Sequence, residues 1–166
     1  MTQWLKYIGL LALLLFLQVF LLDHLHWLGL VHPFVYIWAI LLLPIELPRW
    51  AQMLIGAAIG AVMDIFTHAS GMHMAACVLI AYMRPLLVAR YVQELERMKG
   101  AITIQSIGLT NYLQLLAVLV LLHHTVLFML EAFTFAHLWY TLLQIVLSGV
   151  LSFTFVLMFE LVRKNT

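Results

Sequence analysis

The sequence predicts an all-α integral membrane protein with six transmembrane helices and with both termini in the cytoplasm. Its 166 residues are 66% hydrophobic and only 9% charged, whereas soluble globular domains carry about 25% charged residues. The hydrophobic residues fall into segments long enough for membrane spans, and the basic residues fall near the ends of those segments or between them, in a pattern typical of membrane topology. The net charge of +1 gives no general attraction to nucleic acid.

Six apolar segments are candidates for the helices, since a span needs about 20 mostly apolar residues. They cover residues 4–22, 33–47, 50–66, 72–88, 108–130 and 138–162, which makes residues 1–166 a single polytopic domain. We expect the first segment to be a retained span rather than a signal peptide, because Asp23 and His24 follow it without a small-residue cleavage site. The second segment is short: Pro33 suits the first turn of a helix, whereas Pro44 and Pro48 disrupt its end.

The basic residues predict the orientation of the spans, because cytoplasmic connections of membrane proteins are enriched in Lys and Arg. With six spans and a cytoplasmic N-terminus, all eight basic residues lie on the cytoplasmic side: Lys6, Arg49, Arg84, Arg90, Arg97, Lys99, Arg163 and Lys164. The opposite, outer connections hold none of them. Most of the histidines lie on this outer side, in loops or at helix ends: His24, His26, His32, His68, His73 and His137.

The third span contains the most informative polar residue, an aspartate among apolar neighbours. Gly56, Gly60 and Asp64 are spaced four residues apart, so they form one stripe on a helix. Glycines at this spacing allow the backbone of another helix to approach closely. A carboxylate inside the membrane costs about 2.5–3.5 kcal/mol. We therefore expect Asp64 to face protein and to accept hydrogen bonds.

Two interpretations of this stripe remain open. In the structural one, Asp64 accepts hydrogen bonds from the turn before the fourth span, from His68 or from His73, and Gly71 supplies a backbone conformation that other residues avoid. In the functional one, Asp64 handles a proton or a ligand near a polar cluster. The members of that cluster are His68, His123 and His124. Neither H-x3-H nor H-E-x-x-H spacing occurs, so no metal site is expected.

Other polar residues have simpler expected roles. Arg84 lies near the inner end of span four, from which its side chain can reach the headgroup region, and Glu131 and Glu160 are close enough to span ends to reach water. Several side chains can form hydrogen bonds between helices: Gln18, Gln114, Gln144, Ser148, Ser152 and Thr154. No nucleophile lies at helical spacing from a base, and no GxSxG, HExxH or Walker A motif occurs, so neither an enzyme nor a cofactor is expected.

The run from His32 to Pro85 resembles the rod shape-determining MreD family. The resemblance is carried by the proline that opens span two, by the G-x3-G-x3-D stripe, and by a short turn with a glycine before a span that starts G-x-H at Gly71. The total length and the six spans also match, whereas the last two spans match only in character. The outer histidines and the pair Pro44 and Pro48 depart from the family pattern.

The resemblance implies a non-enzymatic scaffold of the bacterial inner membrane that helps organise peptidoglycan synthesis and cell shape. The implied partners are MreC, a bitopic membrane protein, and the assembly of the MreB filament, the RodA glycosyltransferase and a class B penicillin-binding transpeptidase. The family is also similar in fold to the substrate-binding S components of energy-coupling-factor transporters. On this hypothesis the stripe of Gly56, Gly60 and Asp64 is the face that binds a partner's span.

The alternative hypothesis is a substrate-binding membrane subunit of a vitamin-type transporter. It is favoured by the outer polar residues and by the fold similarity, although a shared fold does not establish a shared function.

Overall fold

The computed structural model describes residues 2–23, 31–91, 100–133 and 137–164, and these residues are helical or irregular with no β-strand. The helices are α1 (Thr2–Leu17), α2 (Ile37–Leu41), α3 (Arg49–Thr67), α4 (Met72–Tyr91), α5 (Ile104–Ile107), α6 (Leu109–Ala132) and α7 (Leu138–Lys164). A π-helical turn, Gln18–Leu22, extends α1 at its C-terminal end.

Five of these helices are long and apolar enough to cross a membrane, as expected of a multi-pass membrane protein. The apolar stretches are Leu5–Leu22, Arg49–Thr67, Met72–Arg90, Leu109–Ala132 and Leu138–Arg163, with mean hydropathy between 1.4 and 2.3. They lie within a few residues of the first, third, fourth, fifth and sixth predicted spans. Their outward faces carry exposed apolar side chains, among them Leu13, Ile65 and Val150, which lipid covers at no cost.

The second predicted span, residues 33–47, does not form a helix of spanning length. Only Ile37–Leu41 is helical, and the residues on either side are irregular. Pro44 and Pro48 explain the end of this short helix, because a proline disfavours the helical conformation for the residue before it. The backbone of residues 33–35 instead bonds to side chains of other elements. Residues 33–43 are nevertheless all buried. We refer to residues 31–47 as the central segment.

The long helices pack in the order α3 on α4, α4 on α6 and α6 on α7, and the central segment passes between α1 and this row. The two ends of the bundle differ in residue type. One end holds the connection between α3 and α4 together with the C-terminal end of α6, and we call it the histidine end. The other holds the start of α3 and the ends of α4 and α7, near Arg49, Arg90 and Arg163, and we call it the arginine end.

Candidate functional site

Gly56 and Gly60 allow α3 to pack directly on the backbone of α4. A Cβ atom at Gly60 would lie 2.6 Å from both the carbonyl oxygen of His73 and the backbone nitrogen of Met74. A Cβ atom at Gly56 would lie 2.9 Å from the carbonyl oxygen of Cys77. Any larger residue would therefore force the two helices apart. The glycine stripe is filled by α4 of the same chain.

Asp64 caps the first turn of α4 from the neighbouring helix. Its Oδ1 accepts the backbone N–H of His73 at 3.0 Å, and its Oδ2 accepts that of Met74 at 3.0 Å. The first N–H groups of a helix have no partner inside the helix, and Gly71, just before α4, has no side chain to cap them. The carboxylate is also favourably placed at the positive end of the helix dipole. Two hydrogen bonds thus replace the water that Asp64 loses on burial.

The turn between α3 and α4 depends on two residues in the left-handed region. Gly71 has φ +86°, a conformation that glycine adopts without strain. His68 ends α3 with φ +55°, and its N–H donates to the backbone carbonyl of Asp64. The stripe residues Gly56, Gly60 and Asp64 thus come together with Gly71 and His73 in one unit, which we call the clasp.

Replacing Asp64 with alanine is expected to lower the free energy of unfolding by about 2 kcal/mol, because two capped N–H groups lose their acceptor. Asp64→Asn keeps one acceptor oxygen and is expected to lose about half as much. The measurement is thermal unfolding in detergent, combined with hydrogen exchange of the His73 and Met74 amides. Unchanged exchange at these two amides in Asp64→Ala would show that the carboxylate does not cap α4.

Polar side chains of α1 and α7 supply hydrogen bonds that the irregular part of the central segment cannot form within itself. The amide of Gln18 binds one carbonyl and one N–H of the backbone near Pro33. Its Nε2 donates to the Pro33 carbonyl at 2.9 Å, and its Oε1 accepts the N–H of Val35 at 2.8 Å. Three further bonds act on the same segment: His32 N–H to Ser148 Oγ (2.9 Å), Phe34 N–H to Ser152 Oγ (2.7 Å) and Tyr7 O–H to the Ala39 carbonyl (2.8 Å). Irregular backbone at membrane depth is tolerated only where protein satisfies it in this way.

Arg84 holds the other end of the central segment. Its Nε and Nη2 donate to the carbonyl of Leu41 at 3.1 and 3.0 Å, Nη2 also donates to the carbonyl of Leu43, and Nη1 donates to Oε1 of Gln52 at 2.8 Å. The side chain is only 1% exposed. The expectation that Arg84 reaches the headgroup region is therefore wrong, because helix-end carbonyls inside the bundle bind the guanidinium.

Glu160 also differs from its expected position in water, since it is fully buried near the arginine end. Its Oε2 accepts Trp38 Nε1–H at 3.3 Å, and its Oε1 accepts the backbone N–H of Ile104 at 3.1 Å. Arg163, one turn further along α7, forms an ion pair with Oε1 at 2.6 Å. Glu160 thus ties the central segment to α5 and α7. Glu131, in contrast, is exposed as expected.

A buried chain of hydrogen bonds links α4, the central segment and α6. The hydroxyl oxygen of Tyr36 lies 2.8 Å from His73 Nδ1 and 2.8 Å from His123 Nε2. Tyr36 and His123 are fully buried, and His73 is 5% exposed. The other ring nitrogen of His123, Nδ1, has no hydrogen-bond partner in the described part of the chain. The neighbouring His124 bonds separately, through Nδ1 to the Val120 carbonyl at 2.8 Å and through Nε2 to the Ser152 hydroxyl at 3.0 Å.

The unpartnered Nδ1 of His123 determines the direction of this chain. A hydroxyl has one proton, so Tyr36 can donate to only one of the two histidines. If Tyr36 donated to His123, the proton of that ring would sit on Nδ1 as a buried donor without an acceptor, which native structures rarely contain. We therefore assign the direction His123 Nε2–H to Tyr36 to His73 Nδ1. This places the remaining proton of His73 on Nε2.

A cavity of about 350 Å³ opens at the histidine end, next to this chain. Its polar lining residues are Asp23, His32, Thr67, His68, His73 and Glu131. Of the predicted polar cluster, His68 is exposed at the cavity, whereas His123 and His124 are buried deeper in the bundle. His24 and His26 lie outside the described residues. Within the described residues, no three histidine, cysteine or acidic side chains are arranged to hold a metal ion.

Sequence analysis did not identify Tyr36 as a site residue. The residue lies in an apolar run where a tyrosine is indistinguishable from other large core residues, and only the fold brings it between two histidines of other helices. Gln18, Ser148 and Ser152 were expected to bond across helices. Ser152 does so, with His124 of α6, and all three side chains also bond to backbone groups of the central segment.

Comparison of the chain with protein-family models, with curated proteins and with solved structures gave no significant match.

Proposed function

We propose that this chain is a non-enzymatic scaffold of the bacterial inner membrane, of the MreD type, that helps organise peptidoglycan synthesis and cell shape. The observation that carries the proposal is the clasp. Most of the residues that make the sequence resemble the MreD family, from Gly56 to His73, act together as one structural unit instead of being scattered through the bundle. A motif with this role fits a protein whose task is to hold its helices in a fixed arrangement.

The other buried polar groups support the same proposal. Gln18, Arg84 and Glu160 each bind backbone or side-chain groups that fix the central segment. None of these three side chains lies at an accessible site where it could act in catalysis, because all three are buried and hydrogen-bonded. This use of buried side chains for internal support favours a chain that acts through the surface it presents to other membrane proteins.

The proposal includes a topology with six crossings. The central segment would be the second crossing, running from the histidine end at His32 to the arginine end at Ile45, whose N–H donates to the carbonyl of Gly100 at 3.0 Å. Broken helices cross membranes where protein covers them, and residues 33–43 are buried. The histidine end then faces the periplasm and the basic residues lie in the cytoplasm, an arrangement similar to the S-component fold.

The clasp also changes where a partner's span would bind. Because α4 fills the glycine stripe, Gly56 and Gly60 are not accessible to another protein. The outward face of α1 is a better candidate: a Cβ atom at Gly9 would meet no atom within 4 Å, and the neighbouring Ala12 is exposed. Small residues on a lipid-facing side allow a second helix to approach closely. We propose this face for the span of an MreC-type partner.

The test is affinity purification of the chain from bacterial membranes, with mass-spectrometric identification of what accompanies it. We expect an MreC-type protein, together with MreB, RodA or a class B transpeptidase. Gly9→Leu is expected to reduce recovery of the MreC-type partner at least about fivefold without loss of folded protein, since bulk at a small-residue interface prevents close packing. Leu13→Ile, on the same helix but conservative in volume, is the matched control.

Two outcomes would contradict the scaffold proposal. One is a well-folded chain that recovers no component of cell-wall synthesis. The other is recovery of ATPase subunits, which would favour the solute-binding subunit of a transporter instead. Unchanged recovery of an MreC-type partner by Gly9→Leu would leave the scaffold in place but would exclude the outward face of α1 as the contact.

A further inference from the structure

The cavity at the histidine end has an electrostatic character that favours a cation. Asp23 and Glu131 line it with two carboxylates. The C-terminal ends of α3 and α6, at Thr67 and Ala132, also lie at this end of the bundle, and helix C-termini carry partial negative charge. The N-terminal end of α4 lies at the same end of the bundle and carries partial positive charge, but the Asp64 carboxylate already binds its N–H groups.

The walls of the cavity add a second feature that suits a cation. The rings of Phe34, Phe66 and Phe128 are among its lining residues, and the faces of aromatic rings attract ammonium groups. Phe34 and Phe128 are buried, so their positions are set by the bundle. Pockets of about 300–1,000 Å³ are typical of small-ligand sites.

His73 supplies a hydrogen-bond donor at the wall of the cavity. It is 95% buried, since 5% of its surface is exposed, and it lines the cavity. Its Nδ1 accepts from Tyr36, so its Nε2 carries a proton, and this N–H has no partner among the described residues. Among the described residues, the buried side-chain atoms without a partner do not include Nε2 of His73, so this nitrogen is open to the cavity, where a water molecule or a ligand can accept its hydrogen bond.

We propose that this cavity binds a ligand that combines a protonated amine with a hydrogen-bond acceptor such as a phosphate oxygen. The amine would be held by Asp23 and Glu131, and the acceptor would take the N–H of His73. The phosphoethanolamine group has both features. It could reach the cavity as a free solute or as the headgroup of a phospholipid. This inference is independent of the scaffold proposal, because it concerns the cavity and not the surface of α1.

The experiment measures binding to the purified full chain in detergent, with two pairs of probes. Glycerophosphoethanolamine is compared with glycerophosphoglycerol by calorimetry, and phosphatidylethanolamine with phosphatidylglycerol by native mass spectrometry. Each pair shares a phosphate and differs in the amine. We expect the amine-containing probe to bind more tightly than the amine-free probe in at least one pair. Binding of the free solute identifies a solute site, and binding of the lipid alone identifies a headgroup site.

Variants of the cavity test the assigned contacts. Glu131 is exposed, so Glu131→Gln preserves the fold and is expected to weaken amine binding about threefold to fivefold through loss of one exposed charge pair. His73→Ala keeps the backbone N–H that Asp64 accepts, and is expected to weaken binding about tenfold through loss of the side-chain donor. His137→Gln, at the histidine end but outside the cavity lining, is the matched control and should bind normally.

Absence of binding in both pairs of probes would overturn the proposal. So would equal binding of the amine-containing and amine-free probes, or affinities of Glu131→Gln and His73→Ala that match the affinity of His137→Gln.

Discussion

Replacing Gly60 with alanine is expected to lower the free energy of unfolding by about 1–3 kcal/mol, the range for overpacking in a filled core. A Cβ atom at this position would overlap backbone atoms of His73 and Met74, at 2.6 Å from the carbonyl oxygen of one and the nitrogen of the other. Backbone atoms in a helix cannot move aside as a flexible side chain can. Separation of α3 from α4 would also lengthen the hydrogen bonds that Asp64 accepts.

Two other glycines provide a graded set of controls. Gly56→Ala is expected to have a smaller effect, because its Cβ would lie 2.9 Å from the Cys77 carbonyl oxygen, against 2.6 Å for the nearest oxygen at Gly60. Gly9→Ala should be neutral or stabilising by up to about 1 kcal/mol, since nothing lies within 4 Å and alanine is the better helix former. Thermal unfolding of the three variants in detergent gives the order of their stabilities. Equal stabilities of Gly60→Ala and Gly9→Ala would contradict the packing of α3 on α4.

The larger variant Gly60→Leu is expected to prevent stable folding. It cannot serve as a test of partner binding, because loss of a partner would follow from loss of the fold.

The hydrophobic segments of the sequence predicted the ends of the five long helices to within a few residues. A helix in lipid must be apolar along its whole length, and charged residues mark its ends. The same reasoning failed for residues 33–47, where the composition is as apolar as in a span. There Pro44 prevents the short helix α2 from continuing, and the irregular residues before α2 form hydrogen bonds with distant residues such as Gln18 and Ser152. Hydrophobicity indicates that a segment is buried, but not whether lipid or protein covers it.

Prediction of the candidate site from the sequence has the same limit. The spacing of Gly56, Gly60 and Asp64 predicted a common face and a carboxylate turned towards protein, because helix periodicity determines both. It could not identify which helix fills that face. Tyr36 lies between His73 and His123 only because the central segment passes beside α4 and α6. Contacts between residues so far apart in sequence depend on the packing of whole helices, which no local pattern encodes.

Replacement of Arg84 with methionine is expected to lower the free energy of unfolding by about 3 kcal/mol or more. Methionine retains an apolar stem of similar length, but it leaves the carbonyls of Leu41 and Leu43 and the Oε1 of Gln52 without donors. Each unsatisfied buried acceptor costs about 1–3 kcal/mol. These carbonyls lie at the end of α2, where Pro44 prevents the chain from continuing as a helix that could supply N–H groups.

The variant Arg84→Lys separates the contribution of the positive charge from that of the hydrogen-bond geometry. Arg84→Lys keeps the positive charge, but an ammonium group cannot reproduce the planar arrangement in which Nε and Nη2 share the Leu41 carbonyl while Nη1 reaches Gln52. We therefore expect Arg84→Lys to be destabilised by about 1–2 kcal/mol, between the wild type and the methionine variant.

Arg90 provides the matched control, because it lies on the same helix, carries the same charge and is exposed at the arginine end. Arg90→Met should change the free energy of unfolding by no more than about 0.5 kcal/mol. Thermal unfolding in detergent compares the three variants, and hydrogen exchange across residues 37–43 locates the effect. If Arg84→Met and Arg90→Met are equally stable and exchange at equal rates, Arg84 does not hold the central segment, and the buried crossing proposed for residues 31–47 loses its main support at the arginine end.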